Sequence, residues 1–172
     1  MNLLDYLPGV PDFPKPGILF RDISPLLANP AAFKEAITQL EGLAQGFDYT
    51  HILGIESRGF IFGSALAHHV HKGLVLARKP NKLPLVTHRE SYGLEYGTDA
   101  LELQESSLPK HAKVLLLDDV LATGGTLIAA DKLVRSAGFK VCGAITLLEI
   151  AALNGSKLLS KNGITSKSVL LS

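Results

Sequence analysis

The sequence predicts an α/β fold: a mostly parallel, twisted sheet flanked by helices, with a small N-terminal hood and a flexible hairpin lid. Three observations carry this prediction. Short apolar runs of strand length alternate with stretches of helical spacing, the pattern of a sheet covered on both faces. The most continuous run, from Val114 to Leu117, ends in Asp118-Asp119, and a small Gly-containing loop follows before a helix opens. Three groups of ligand-type residues, Glu56–Gly59, Arg78–Lys79 and Asp118–Thr126, each follow a strand's carboxyl end, where α/β sheets bind ligands.

The elements follow in order. Residues 8–17 carry Pro8, Gly9, Pro11, Pro14, Pro16 and Gly17, a density that excludes a regular element. Apolar Ile18, Leu19 and Phe20 come next, so the segment reads as an ordered hood rather than a linker. Asn29-Pro30 supplies an N-cap and a first turn. Phe33, Ile37, Leu40 and Ala44 then share one face of a helix that ends near Gly46. His51 to Ile55 is a short buried strand, and Glu56-Ser57-Arg58-Gly59 turns it into a helix running to about His71. Leu74 to Ala77 is the next strand.

From Arg78-Lys79-Pro-Asn-Lys82 to Gly97 the chain is polar, charged and too long for a plain connection, which predicts a lid over Leu83 to Gly97. Thr98 to Leu103 alternates and returns as a strand, so the lid is a hairpin. Beyond Thr126, Leu127, Ala130, Leu133, Val134 and Ala137 mark a helix stopped by Gly138. Phe139 to Leu148 is the last strand, and Ala151 to Leu159 a short helix. The Ser/Lys-rich tail from Lys161 ends in an apolar triplet and suggests no function. The expectation is one domain: a hood over about 1–28, a core over about 29–160 and a tail over about 161–172.

Composition narrows the classes. A net charge of +1 gives no footprint for nucleic acid or an anionic membrane. Cys142 is the single cysteine and lies in an apolar run, so an inert buried thiol in a reducing compartment is expected. The first residues lack a basic region and a long apolar core, so no signal peptide is read there, and no apolar run reaches membrane length. The expectation is a cytoplasmic protein. His68, His69 and His71 sit in a helix's last turn with no acidic or thiol partner at useful spacing, which argues against a metal site.

The loop after Asp119 has specific physics. Gly124 and Gly125 can aim successive N–H groups into one concavity, the following helix adds the positive end of its dipole, and Thr123 and Thr126 add hydroxyls. A phosphate monoester fits there. No lysine follows Gly125, so a Walker A loop is excluded. Asp118 and Asp119 cannot bind the same phosphate, but they suit a sugar's vicinal hydroxyls or a hydrated Mg²⁺. Phosphate at one end and a diol nearby describe a ribose 5-phosphate. A tight turn that binds nothing would accommodate the small residues, yet it leaves the paired acids unexplained. Arg58 beside a glycine is placed to meet an anion; alone it would be an ordinary surface arginine.

Val114 to Thr126, with its Asp-Asp-Val-Leu-Ala-Thr-Gly-Gly-Thr ending, resembles the phosphoribosyl-pyrophosphate (PRPP) motif of the type I phosphoribosyltransferase family. Phe13 to Leu27 is similar to the base-binding hood of that family's adenine-using branch, and the motifs that match span about residues 8–155. The resemblance implies a phosphoribosyl transfer from PRPP to adenine, giving AMP and pyrophosphate, with Mg²⁺ as cofactor and a homodimer as the assembly. It implies that Asp118 and Asp119 hold the ribose, and that Ala122, Thr123, Gly124, Gly125 and Thr126 hold its 5-phosphate. Glu56, Ser57, Arg58 and Gly59, with Lys79 and Lys82, would form the pyrophosphate site. Phe20 would stack on the purine while Leu19 and Arg21 read its edge through backbone groups; from periodicity alone Phe20 would be a core anchor. Mg²⁺ would be carried mainly by PRPP, with Asp118 and Asp119 reaching it through water.

The base must also lose a proton. Hypoxanthine-guanine relatives carry an Asp in the phosphate loop, where this chain has Ala122, so Glu95 in the lid is expected to act, with Tyr96 aiding closure. Asn81 stands where the family usually has Gly, residues 85–89 follow no family pattern, and neither does the tail. A 6-oxopurine transferase and a PRPP-sensing regulator are the competing readings. The first would need a lysine for the exocyclic oxygen, and the second usually carries a DNA-binding domain for which this chain has no room.

Overall fold

A computed structural model describes residues 1–85, 87–94 and 97–172. The chain forms two compact units, Met1–Gln39 and Leu40–Ser172.

In the first unit, a 3-10 turn over Leu3–Tyr6 is capped by the Asn2 side chain. Strands β1 (Gly9–Pro11) and β2 (Leu19–Arg21) pair antiparallel, with Val10 opposite Phe20. The proline-rich segment is therefore not wholly irregular. A three-residue edge strand needs few N–H donors, and Pro11 ends it. The reversal is closed by Asp12, whose carboxylate accepts from Gly17 N at 2.7 Å. Helix α1 (Ser24–Ala28) follows, then α2 (Pro30–Ala44), whose first N–H groups, on Ala31 and Ala32, donate to Asn29 Oδ1.

The second unit is organised by a five-stranded parallel sheet. Its strands are β3 (His51–Ile55), β4 (Gly73–Ala77), β7 (Lys113–Leu121), β8 (Lys140–Glu149) and β9 (Ser166–Leu171), in the order β4-β3-β7-β8-β9. Between β4 and β7 lies a separate antiparallel hairpin, β5 (Thr87–Leu94) with β6 (Gly97–Gln104). Ile52, Leu53, Leu115, Leu116, Leu117, Ile145 and Leu148 are at most 1% exposed, as expected where both sheet faces are covered. Helix α3 (Arg58–His69) packs on β3, β4 and β7, and α4 (Gly125–Ser136) on β7, β8 and the hairpin. Leu101 and Leu103 on β6 are fully buried, so the hairpin's root belongs to the core.

Four expectations change. Strand β7 does not stop at the carboxylates: it carries Asp118 and Asp119 within it and pairs with β8 as far as Leu121 opposite Glu149. The predicted helix over 151–159 is a 3-10 turn at Ala151–Leu153, broken by Asn154 at φ 55°, followed by α5 (Gly155–Lys161). The tail is β9, an edge strand; its polar residues face outward or pair, as Ser168 and Thr146 hydroxyls do at 2.7 Å. Cys142 is half-buried rather than buried, and its Sγ donates to Asp48 O at 2.9 Å. Burial raises its pKa. Among the described residues no helix is long and apolar enough to cross a membrane.

Candidate active site

The sheet order locates the site before any side chain is considered. The chain enters at β3, moves outward to β4, and then returns to β7 on the other side of β3. Adjacent parallel strands whose connections leave in opposite directions open a crevice at their carboxyl ends. Glu56 to Gly59 leave β3 at that crevice, and Asp118 to Thr126 leave β7 there.

The phosphate loop is built as its residues dictate. Gly124 takes φ +94°, a left-handed angle that side chains resist, and Ile128 N donates to Gly124 O at 3.0 Å to start the α4 ladder. The first-turn N–H groups of α4 thus precede any helical acceptor. With Asp118, Val120 and Leu121, residues 122–127 line a cavity of about 60 Å³. That leaves room for a few waters, the scale of a small anion such as a phosphate group. A larger concavity of about 450 Å³ lies against α5 and the start of β9, lined by Lys157 and several hydroxyls. It holds none of the acids or guanidinium groups discussed here.

The loop has a support that sequence reading missed. Gly155, which opens α5, lies so close that a Cβ on it would fall 2.3 Å from Ala122 O and 2.7 Å from Leu121 Cδ1. A Cβ on Gly124 would in turn meet Gly155 O at 3.2 Å. Gly155→Ala must therefore displace the phosphate loop. The expected result is a KM for the phosphate-bearing substrate raised on the order of tenfold and a loss of about 1–3 kcal/mol of stability from overpacking. Steady-state kinetics beside a thermal melt check both.

The two acids in β7 differ in surroundings. Asp119 is 3% exposed and Arg58 Nε lies 2.8 Å from its Oδ2. Asp118 is half-buried, and its Oδ1 accepts from Asp119 N at 2.9 Å. Burial, and next the neighbouring Asp119 charge, push the Asp118 carboxyl well above the ordinary carboxylate value. Arg58 thus holds one carboxylate in place and leaves the other tuned for a cationic or hydroxyl partner.

Around Glu56 the cations converge. Its carboxylate accepts from Lys79 N at 2.8 Å, from Arg78 Nε at 3.2 Å and from Lys82 Nζ. Burial alone would raise its pKa, but these donors outweigh burial and hold it below the ordinary value. Glu56 therefore organises the 78–82 segment. Asn81 takes φ 65°, the left-handed angle that a glycine would accept easily, and its N–H donates to Glu102 Oε2 at 3.0 Å. Ser57 is exposed, and the Glu56–Ser57 peptide is cis. Lys79 Nζ turns away from Glu56 to Asp99 and Tyr92 on the hairpin, neither of which local patterns single out.

Of the remaining expected residues, Glu95 and Tyr96 lie outside the described residues. In the first unit, Leu19 is 53% exposed while Phe20 and Arg21 are half-buried. Phe20 meets Phe13 edge to face at 5.1 Å between centroids, so it is neither a plain core anchor nor isolated. For a metal, no group of three or more His, Cys, Asp or Glu among the described residues could hold one. One half-buried carboxylate beside a phosphate cradle nevertheless suits Mg²⁺, which keeps its waters and takes one or two carboxylates plus substrate phosphates.

Comparison with known proteins agrees with this geometry. The phosphoribosyl transferase domain family matches residues 22–166. The chain is 81% identical over its whole length, and the whole of the relative's, to the adenine phosphoribosyltransferase of Polynucleobacter asymbioticus. Among solved structures, the adenine phosphoribosyltransferase of Rhodothermus marinus superposes with a TM-score of 0.91 at 45% identity, over 99% of this chain and 96% of that one. The Saccharomyces cerevisiae enzyme, complexed with an imino-altritol bisphosphate and adenine, gives 0.89 at 35% identity over 98% and 96%.

Proposed function

The chain belongs to the adenine phosphoribosyltransferase family, and from that premise we propose that residues 1–172 act as one transferase domain moving the 5-phosphoribosyl group of PRPP to adenine, with AMP and pyrophosphate as products. The observation that carries this is the crevice between β3 and β7. A phosphate-sized cradle on one side, a carboxylate pair beside it and a group of cations on the other match the two charged ends of PRPP and the ribose between them.

Bond breaking at the anomeric carbon puts positive charge on the ribose and negative charge on the departing pyrophosphate. Ala122 to Thr126 hold the 5-phosphate, remote from the chemistry, and supply positioning energy. Asp118 and Asp119 bind the ribose hydroxyls and face the developing cation. Arg58, Lys79 and Lys82 receive the pyrophosphate, aided by the backbone N–H groups of residues 57–59. Mg²⁺, brought with PRPP and reached by Asp118 and Asp119 through water, would neutralise further charge on the leaving oxygens. Phe20 stacks on the adenine ring, while backbone groups of Leu19 and Arg21 read its edge. The hairpin closes to exclude water, Glu95 takes the proton from the attacking nitrogen, and Tyr96 assists closure. We place the enzyme in the cytoplasm as a homodimer, in keeping with its family.

The test is incubation of the protein with PRPP, Mg²⁺ and each purine base in turn, following nucleotides by chromatography. AMP from adenine alone is the expected result. Turnover of a 6-oxopurine in place of adenine would overturn the base assignment, and PRPP binding without turnover of any base would overturn the enzyme.

A further inference from the structure

We propose that Asp99, together with Tyr92, is a positioning residue that sets Lys79 for the departing pyrophosphate. The proposal rests on Lys79 being a pyrophosphate ligand.

Lys79 is fixed from two directions. On one side its main-chain N–H donates to Glu56 Oε2 at 2.8 Å, which anchors the residue where β4 ends. On the other, its ammonium donates to the Asp99 carboxylate and, at 3.0 Å, to Tyr92 Oη. The tyrosine hydroxyl in turn donates to Asp99 Oδ2 at 3.2 Å, and Asp99 Oδ1 accepts from Ala100 N at 2.8 Å. The carboxylate that holds the lysine is therefore itself held. Tyr92 and Asp99 are direct cross-strand partners in the hairpin, and the Tyr92 ring also faces the ammonium at 5.6 Å.

An ammonium has three donors, and among the described residues this arrangement uses two. A third is then available to an anion, on a side chain whose four-carbon stem has already lost its freedom. A flexible lysine is otherwise a poor pre-set ligand, so removing that freedom in advance strengthens binding. Asp99 also offsets part of the lysine's charge. The pair is about a third exposed, however, with side chains at 33% and 26%. Water weakens the offset there, while the placement by hydrogen bonds persists. Placement therefore dominates.

The test uses the full-length enzyme and the variants D99N, D99E, Y92F, K79M and K79M/D99N. Steady-state constants for both substrates are measured, together with calorimetric binding of pyrophosphate with Mg²⁺. D99N is expected to raise the KM for PRPP and the Kd for pyrophosphate on the order of tenfold, leaving the KM for adenine unchanged. Y92F should give a smaller effect in the same direction, and D99E should recover most of the affinity. In the K79M background D99N should add nothing. Normal pyrophosphate affinity in D99N, with K79M weakened, overturns the role of Asp99 alone. Normal affinity in K79M removes Lys79 from the pyrophosphate site and the proposal with it. A rise in both KM values with a lowered Tm would reduce Asp99 to a structural residue.

Discussion

Glu95→Gln is expected to lower kcat by about 10²- to 10⁴-fold, the usual range for removing a positioned general base, while leaving the Kd for PRPP close to its original value. The expectation follows from which acids near the crevice are already committed. Ala122 offers the phosphate loop no side-chain base. Glu56 accepts from three donors of the 78–82 segment, Asp99 from Lys79 and Tyr92, and Asp119 is paired with Arg58. Asp118 lines the phosphate-sized cavity and is proposed to hold the sugar. Gln keeps the size and hydrogen-bonding reach but cannot accept a proton. The pH profile of kcat should lose its acidic limb together with the magnitude. A variant that turns over at near-normal rate would end the assignment.

Much of this architecture can be read from local patterns. The run Val114 to Leu117, the paired acids, the two glycines and the helical spacing beyond Thr126 are all consecutive, so one stretch of chain encodes its own strand, loop and helix. Arg58 was legible for the same reason: strand, turn and helix follow one another there. What was not legible depends on segments distant in sequence. Gly155 looks like any helix-breaking glycine until its backbone is found against Ala122 O. Glu56 reads as part of an anion loop, yet it meets cations 22 to 26 positions further along. Asp99 and Tyr92 matter because the hairpin register sets them opposite each other and Lys79 reaches both.

The tail shows the same limit. Ser166-Lys167-Ser168 has no apolar alternation because an edge strand needs little on its outer side. What binds it is β8, through backbone pairing from Ala144 opposite Ser166 to Glu149 opposite Leu171. Without it β8 would be the edge, and Ile145 and Leu147, both at most 1% exposed, would lose a neighbouring strand. The tail is thus the completion of the sheet that carries the acids.

Asp118→Asn should separate stability from function: the variant is expected to lose about 10²-fold in kcat/KM for PRPP and yet to melt higher than the parent. Asp118 sits half-buried against a second carboxylate, so folding forces two like charges together and takes one from water. Its folded pKa is raised above the unfolded value. A raised carboxyl binds more protons when folded, so stability falls as pH climbs from the unfolded pKa through the folded one, and the whole penalty is present above that window. Asn removes the penalty. The difference in Tm between variant and parent should therefore vanish at acid pH and grow toward neutrality, reaching about 2–4 °C for each 1 kcal/mol relieved in a chain of this size. The same tension would serve the proposed transfer. A positive charge developing on the ribose, absent in the ground state, would relieve the repulsion between Asp118 and Asp119, so the pair would interact more strongly with the transition state than with bound PRPP. Arg58 fixes Asp119 at 2.8 Å and pulls the Asp118 pKa down by less than burial and Asp119 push it up. Melts across the pH range, set beside steady-state kinetics, check both halves. A variant that melts lower at neutral pH, or keeps full kcat/KM, would mean the pair is only a structural feature of β7.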